Sequence, residues 1–159
     1  MINYHFLENE EGKRLWVYDD ATGQPLKRGQ RATGNPTVGV GHKLLSTESF
    51  PEGITEEKCR ELLEHDVAIA LGHIKRLVHV PLNDNQLTAL VSLVFNCGQA
   101  PLMGTIGRFL NAGKYKEAAE FFLQWDHVGQ KELLGLMRRR RRERDLFMTP
   151  VSEEKTGHV

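Results

Sequence analysis

Two carboxylates near the start of the chain, Glu11 and Asp20, have the residue types that hydrolysis of a glycosidic bond requires. That reaction needs one carboxyl group that stays protonated near neutral pH and a second one that stays ionised. Apolar Leu15 and Trp16 follow Glu11 by one helical turn, so partial burial would keep Glu11 protonated, as an acid catalyst requires. Asp20 lies in polar loop sequence and would stay ionised. The pair could therefore carry out acid-catalysed hydrolysis, provided that a helix end and a loop converge.

The spacing of these two residues is weak evidence by itself. Glu is common on helix surfaces and Asp in turns, so either residue alone indicates nothing. On chemistry alone, the adjacent Glu10 and Asp19 compete for the same roles. The surrounding motifs must therefore decide among the four carboxylates.

The elements that would position these carboxylates form a small α+β lobe over residues 1–54. The apolar spacing predicts a helix over residues 3–18 that is capped by Asn3. From Asp19 to Pro36 the chain is rich in Gly, Pro, Thr and Asn, which predicts a loop with room for a hairpin. In TVGVGH (Thr37–His42), β-branched residues alternate with glycines, which predicts a short strand.

The remainder of the chain is predicted to be helical, so the fold class is α+β and predominantly α-helical. A long amphipathic helix over residues 55–80 would connect the small lobe to a helical lobe over residues 81–148. Asn83 or Asp84 is expected to cap the first helix of that lobe, and Gly98 to end it. Further helices are predicted at about residues 104–112, 115–125 and 130–147, separated by Gly113 and Gly129, before a frayed tail over residues 149–159.

The composition is that of a soluble globular protein of one domain, with 40% hydrophobic and 26% charged residues and no formal net charge. The charges are unevenly distributed, since residues 1–66 hold 8 Lys/Arg against 12 Asp/Glu and residues 67–159 hold 13 against 9. A basic lobe could favour an anionic polymer, although a few solvated helix faces explain the same pattern.

The two cysteines, Cys59 and Cys97, lie in apolar-periodic stretches and are predicted to be free, buried thiols, with a single disulfide as the alternative. His73 and His79 have no partners at metal-ligand spacing, so no metal or cofactor is expected. The first residues do not combine a basic segment with an apolar one, and no run approaches the ~20 apolar residues that span a bilayer. Synthesis in the cytoplasm without an integral membrane segment is therefore expected.

Four ordered blocks of this sequence resemble the phage lysozyme or endolysin family, glycoside hydrolase family 24. EGKRLWVYDD and PTVGVGH are similar to the family's Glu-Gly-x-Arg-Leu-x-x-Tyr-x-Asp and Thr-[Ile/Val]-Gly-x-Gly-His patterns. The matching positions are Glu11, Gly12, Arg14, Leu15, Tyr18 and Asp20, then Thr37, Gly39, Gly41 and His42. LVFNCG (Leu93–Gly98) and GLMRRRRRERDLF (Gly135–Phe147) are similar to two later blocks, the second through Gly135, Leu136, Arg139, Arg140 and Glu143.

The resemblance implies a lysozyme-like fold with an active-site cleft between the two lobes. It also implies a muramidase that hydrolyses the β-1,4 bond between N-acetylmuramic acid and N-acetylglucosamine in peptidoglycan. Glu11 would be the general acid, Asp20 the base or electrostatic stabiliser, and Thr37 a second residue that orients the attacking water. An inverting reaction and a retaining one through a covalent bond to Asp20 both remain open. The separation of the two carboxyl groups distinguishes them, at roughly 6.5–9.5 Å for inversion and about 5 Å for retention.

The segment Ala21–Pro36, here called the long loop, departs from the compact family pattern. It places sixteen residues between Asp20 and Thr37, where the compact pattern has about five. Thr22 and Thr33 are nearer to Asp20 in sequence and compete with Thr37 for the third position. The cationic residues of the long loop are either part of a solvated hairpin or line one rim of the glycan groove. These residues are Lys27, Arg28 and Arg31.

The resemblance also implies residues that support the site. His42 is expected to be a structural histidine bonded to Asp66, which would raise the pKa of His42. Phe95 and Asn96 would line the groove or contact sugar N-acetyl groups, with helix-end packing and a cap as the plain alternatives.

The run Arg138–Arg142 with Arg144 points all around a helix, so it cannot form one phosphate-binding face, and no nucleic-acid partner is expected. The resemblance implies that Arg139 and Arg140 face inward, where one could pair with Glu11 or brace the cleft. The other arginines would be solvated or contact an anionic wall or outer-membrane surface.

Two other functions remain open alongside muramidase action by a monomer. The first is a non-enzymatic cationic killer or wall-binding module acting through Arg138–Arg144. The second is a lytic transglycosylase, which would use Glu11 without Asp20. The family resemblance implies an enzyme made in the host bacterial cytoplasm and released to the wall at lysis through a holin pore, encoded by a phage or by a bacterial gene of phage origin.

Overall fold

The computed structural model describes residues 1–128 and 131–151, which fall into two compact units. The first, here called the sheet unit, is Leu7–Ile69. The second, the helical unit, combines Met1–Phe6 with the chain from Ala70 onward.

Helix α1 and a three-stranded antiparallel sheet supply the first elements, and a long helix follows. Their bounds are α1 Tyr4–Glu11, β1 Arg14–Asp19, β2 Pro36–Gly39, β3 His42–Lys43 and α2 Glu56–Leu77. The strand order is β1-β2-β3, and the β1–β2 register is irregular between Arg14 and Tyr18. The long helix is confirmed. It begins after Thr55, whose hydroxyl accepts a hydrogen bond from the Lys58 N–H at 3.0 Å.

The prediction of one helix over residues 3–18 is wrong beyond Glu11. Its beginning is confirmed, since the Asn3 side chain accepts a hydrogen bond from the Phe6 N–H at 3.0 Å. Gly12 ends the helix with a φ of +75°, a conformation that glycine adopts at little cost. The strand β1, RLWVYD, then follows because its β-branched and aromatic side chains favour extended backbone.

The hairpin expected in the long loop is present. The Asp19 N–H donates to the Gln24 carbonyl and the Leu26 N–H to the Val17 carbonyl, both at 2.9 Å, so the start of the long loop folds back along β1.

The segment TVGVGH contains a turn as well as strand residues. Val40 and Gly41 reverse the chain between β2 and β3, and Val38 pairs with His42. The prediction of a single short strand therefore holds up to Gly39 and is wrong at the turn.

The helical unit contains five α-helices, one 3₁₀ turn and one short strand pair among the described residues that follow α2. Their bounds are α3 Asp84–Cys97, α4 Ala100–Met103, α5 Thr105–Asn111, α6 Tyr115–Phe121, a 3₁₀ turn Phe122–Gln124, β4 His127–Val128, β5 Lys131–Glu132 and α7 Leu134–Met148.

The boundaries predicted for the last helices need correction. The helix predicted from residue 130 begins at Leu134, because the chain before it forms the β4–β5 pair. The helix predicted over 115–125 gives way to a 3₁₀ turn after Phe121, and the sequence patterns do not predict α4. Gly129 and residues 152–159 of the predicted tail lie outside the described residues.

The predicted ends of α3 are confirmed. Asn83 caps it, since its side chain accepts from the Gln86 N–H at 2.8 Å while the Gln86 side chain accepts from the Asn83 N–H at 2.9 Å. Gly98 follows the helix with a φ of +70°, and its N–H donates to the Val94 carbonyl. These two signals fix the length of the helix that carries Phe95 and Asn96.

The core of the helical unit lies where α7 packs on α3 and on the 3₁₀ turn before β4. Phe122 and Phe147 meet there edge to face, with ring centroids 5.5 Å apart, and both are buried. Among the described residues, no helix is both long and apolar enough to cross a membrane.

Candidate functional site

Glu11 is the last residue of α1, and its carboxyl group lies against the turn between β2 and β3. A Cβ atom at Gly41 would contact the Glu11 Oε1 atom and lie 2.9 Å from its Cδ and 3.0 Å from its Cγ. Gly41 also has a φ of +65°, which side chains rarely adopt. The second glycine of TVGVGH therefore leaves the space that the Glu11 carboxyl group occupies.

Asp20 follows β1 directly and is exposed, but its carboxylate is held by one residue. The Asn35 backbone N–H donates to Asp20 Oδ1 at 2.7 Å, and the Asn35 Nδ2 donates to Asp20 Oδ2 at 3.1 Å. In return, the Asp20 N–H donates to the Asn35 carbonyl at 3.1 Å. The two ends of the long loop are thus joined at Asp20 and Asn35.

Thr37 lies on β2 opposite Tyr18, and only 3% of it is exposed. Its hydroxyl donates to the Asn35 carbonyl at 3.0 Å, so Asn35 contacts both Asp20 and Thr37. The competing threonines have other contacts. The Thr22 hydroxyl accepts from the Gln24 N–H at 3.2 Å, and Thr33 binds Asp19.

Asp19 differs from Asp20 in both burial and partners. It is buried, and its carboxylate accepts hydrogen bonds from the hydroxyl and N–H of Thr33 at 2.6 and 2.7 Å. The N–H groups of Ala21 and Gly34 add bonds at 2.9 and 3.0 Å. These donors, led by the Thr33 hydroxyl, lower the pKa of Asp19 to about 2. Asp19 therefore fastens the long loop.

Tyr18 lies within electrostatic range of both candidate carboxylates. Burial raises the pKa of Tyr18, Arg14 opposes the rise, and the negative charges of Glu11 and Asp20 add to it. The Arg14 guanidinium lies over the Tyr18 ring, 4.4 Å from its centroid, and donates to the Gly23 carbonyl at 2.5 Å. The sheet unit thus gathers Glu11, Asp20 and Thr37 around β1 and β2.

His42 bonds to Asp66, as the resemblance implies, and also to a second carboxylate. Its Nδ1 lies 2.7 Å from Asp66 Oδ2, and its Nε2 lies 2.8 Å from Glu48 Oε1. The bond to Asp66 raises the pKa of His42 to about 9, with burial opposing the rise and Glu48 adding to it. Burial would raise the pKa of Glu48, but the Leu45 N–H and His42 outweigh burial and lower it.

Part of the long loop borders a surface cavity of about 160 Å³, whose lining includes Lys27 and Arg28. Val17 and Pro36 also line it. That Lys27 and Arg28 line one rim of the glycan groove stays a prediction.

The two residues expected to bind substrate lie in α3 of the helical unit. Phe95 is half-buried and Asn96 is exposed. Asn96 is not a cap, because α3 continues to Cys97. Its Oδ1 accepts a hydrogen bond from Arg140 Nη2 at 2.8 Å, which fixes the side-chain amide.

Arg139 and Arg140 face inward, as the resemblance implies, and Glu143 is their common partner. Arg140 and Glu143 have no exposed surface, and Arg140 Nε lies 2.8 Å from Glu143 Oε1. Arg139 Nε lies 3.2 Å from Glu143 Oε2, and the Ser92 hydroxyl donates to the same oxygen at 2.5 Å. The remaining arginines of the run are exposed, except for the half-buried Arg144.

Both cysteines are free thiols, and burial raises the pKa of each. Cys59 is buried as predicted, whereas Cys97 is only half-buried and accepts from Arg140 Nη1 at 2.7 Å. Within residues 1–128 and 131–151, no three His, Cys, Asp or Glu side chains form a group that could hold a metal ion.

The sequence patterns do not identify Asn35 or Glu48. Neither residue lies in a motif block, and each makes its contact only after a loop has closed. The one sequence signal for Asn35 is its position two residues before Thr37.

The chain as a whole is similar to proteins of known family. A model of the phage lysozyme family matches residues 8–143. The endolysin of Salmonella phage P22 is 42% identical over 147 residues, which cover 90% of this chain and 92% of that protein.

Solved structures of similar fold are also found. A crystal structure of a P22 lysozyme mutant is 38% identical, with a TM-score of 0.74, and covers 94% of this chain and 99% of its own. The muramidase domain of SpmX from Asticcacaulis excentricus is 29% identical, with a TM-score of 0.73, and covers 92% and 94% of the two chains. The lysozyme-like, α+β and predominantly helical fold class is confirmed.

Proposed function

The chain belongs to the phage lysozyme family, and on that premise we propose that it is an endolysin that hydrolyses bacterial peptidoglycan. The bond cleaved is the β-1,4 bond between N-acetylmuramic acid and N-acetylglucosamine. The observation that carries this proposal is the grouping of Glu11, Asp20 and Thr37 around β1 and β2. The Glu11 carboxyl group lies beside Gly41, and Asn35 bonds to both Asp20 and Thr37.

Glu11 acts as the general acid. It is half-buried at a helix end, and Gly41 leaves room for its carboxyl group beside the turn. From that position it donates a proton to the glycosidic oxygen as the bond breaks.

Asp20 stabilises the positive charge that develops at the anomeric carbon, or accepts a proton from the attacking water. Its exposure leaves the carboxylate accessible to substrate, while Asn35 holds both of its oxygens. Asp19 is unsuitable for this role, because Thr33, Ala21 and Gly34 already occupy its carboxylate.

Thr37 orients the attacking water as an acceptor. Its hydroxyl hydrogen is donated to the Asn35 carbonyl, so its oxygen offers lone pairs only. A water that donates one hydrogen to Thr37 and the other to Asp20 would direct its own lone pair at the anomeric carbon. In this proposal the reaction inverts the anomeric configuration, because the water and not Asp20 forms the new bond to the anomeric carbon.

The helical unit supplies the substrate-binding residues in this proposal. Phe95 and Asn96 contact the sugar, and Arg140 fixes the Asn96 amide. The division into a small lobe of residues 1–54, a connecting helix over residues 55–80 and a helical lobe of residues 81–148 stays a prediction.

We infer the cellular setting from the family. The protein acts as a monomer on the wall of the bacterium in which it is made, after release from the cytoplasm through a holin pore. The exposed arginines Arg138, Arg141 and Arg142 would contact an anionic outer-membrane surface.

Product analysis on purified peptidoglycan tests the proposal. The wild type is expected to release fragments with reducing muramic acid ends, and Glu11→Gln to lose activity by at least about a hundredfold while remaining folded. Full activity in Glu11→Gln would overturn the acid assignment. Anhydro-muramic products, with activity retained in Asp20→Ala, would favour a lytic transglycosylase.

A heat-denatured sample serves as the control for non-enzymatic killing. Turbidity loss of permeabilised bacteria should disappear on denaturation, because the proposed activity requires the folded site. Undiminished killing by the denatured protein would identify a cationic killer instead.

A further inference from the structure

We propose that Asn35 is a positioning residue that sets the orientation of Asp20 for catalysis, a role that rests on the proposed function. Asn35 lies at the end of the long loop, outside every motif block. Its two donors each meet a different oxygen of the Asp20 carboxylate, at 2.7 and 3.1 Å. A carboxylate bonded through both oxygens to one residue has a fixed plane as well as a fixed position.

The need for such a residue follows from the exposure of Asp20. An exposed aspartate at a strand end samples several rotamers, and ordering it during the reaction costs conformational entropy. Donors that hold the carboxylate before substrate binds remove that cost. Hydrogen bonds from an N–H group to a carboxylate are stronger than those between neutral groups, so each of the two favours this orientation of the side chain.

Asn35 is itself held on both sides. The two preceding residues, Thr33 and Gly34, donate to Asp19, and the carbonyl of Asn35 accepts from Thr37. A Cβ atom at Gly34 would contact Asp20 Oδ1, so this backbone passes directly beside the carboxylate. One residue therefore couples the orientation of Asp20 to that of the Thr37 hydroxyl.

Three variants separate positioning from support of the fold. Asn35→Ala removes the side-chain donor, and Asn35→Asp keeps the size of the side chain but places a negative charge beside Asp20. Thr33→Ala is the matched control, because it removes a hydroxyl bond in the same loop but keeps the Thr33 N–H bond to Asp19 that holds the backbone beside Asn35. Each variant is assayed for kcat and KM on purified peptidoglycan and for melting temperature.

We expect kcat to fall about tenfold or more in Asn35→Ala and further in Asn35→Asp, with KM within about twofold of the wild type. Thr33→Ala should lower the melting temperature and keep kcat within about twofold. Asn35→Ala carries the test of positioning, because Asn35→Asp adds the repulsion of a second negative charge to the loss of the donor.

The proposal is overturned if kcat is unchanged in Asn35→Ala, if Asn35→Asp is the milder substitution, or if Thr33→Ala reproduces the loss. An inactive wild type would overturn the proposed function and this role with it. An active wild type whose Asn35 variants match it would overturn the role of Asn35 alone.

Discussion

The Asp19 carboxylate accepts hydrogen bonds from both the N–H and the hydroxyl of Thr33, fourteen residues further along the chain, at 2.7 and 2.6 Å. This pair closes the long loop just beside the candidate catalytic residue Asp20. Two adjacent aspartates therefore have different tasks. One holds the backbone, and the other presents its carboxylate to solvent.

We expect substitutions of Asp19 and Asp20 to have different effects on activity and stability. Asp20→Asn should lose activity by at least about a hundredfold and keep a melting temperature close to that of the wild type, because exposed side chains contribute little to stability. Asp19→Asn should lower the melting temperature, because it weakens the bonds to Thr33 and Gly34. Parallel assays of peptidoglycan cleavage and thermal unfolding measure both effects, and the reverse pattern would exchange the two assignments.

The low pKa of Asp19 predicts a contribution to acid stability. A carboxyl group whose pKa falls from 3.8 to about 2 on folding stabilises the protein above about pH 4. That stabilisation is lost as the pH falls through about 2. The difference in unfolding free energy between wild type and Asp19→Asn should shrink across this interval, and a constant difference would contradict the assignment.

The His42–Asp66 pair predicts the opposite pH dependence. The pKa of His42 rises from 6.5 to about 9 on folding. Its stabilisation is therefore complete below about pH 6.5, lost as the pH rises through about 9, and at most about 3 kcal/mol.

Asp66→Asn tests this dependence. The variant should unfold at lower urea concentration than the wild type at pH 6, and the difference should fade by about pH 10. Its activity should stay within about twofold of the wild type in the folded state. Near-total loss of activity in folded Asp66→Asn would place Asp66 in the catalytic machinery instead.

We expect Gly34→Ala to lose activity because of a single added methyl group. Its Cβ would contact Asp20 Oδ1 and lie 2.8 Å from the Cβ of Ala21, so the Asp20 carboxylate must move. We expect kcat to fall about tenfold or more. Gly72→Ala in α2 is the control, because nothing lies within 4 Å of its added Cβ. Equal activity in the two variants would show that the Asp20 position tolerates displacement.

We expect Glu143→Ala to lower the free energy of unfolding substantially. It would leave the inward-facing guanidinium groups of Arg139 and Arg140 without their shared carboxylate. Removing one partner of a buried ion pair costs about 3–5 kcal/mol. Urea unfolding measures the change, and Glu143→Gln, which keeps an acceptor for the arginines, should be milder. A loss below about 1 kcal/mol would show that water or other groups replace Glu143.

Much of the fold follows from local signals in the sequence. Asn83 and Gly98 predict the ends of α3, because caps depend on residues only a few positions apart. The strand β1 is wrongly predicted as helix, because RLWVYD continues the apolar spacing of α1 and only the positive φ of Gly12 separates them. Periodicity alone does not distinguish short apolar runs of the two kinds.

The candidate site likewise contains residues that the sequence predicts and residues that it does not. The motif blocks identify Glu11, Asp20 and Thr37. They do not identify Asn35, because its bonds to Asp20 form only after the long loop closes. The second carboxylate on His42, Glu48, likewise depends on how the chain after β3 turns back. Contacts of this kind depend on loop geometry, which spacing does not encode.

The closure of the long loop at its base has a consequence for protein engineering. Asp19, Thr33 and Asn35 fix the two ends of the loop next to the sheet, whereas the tip around Gly29 is exposed and turns within itself, with the Gln30 N–H donating to the Lys27 carbonyl at 2.9 Å. We therefore expect the tip to be a graft point, where a wall-binding or affinity peptide can be inserted while Asp20 keeps its position.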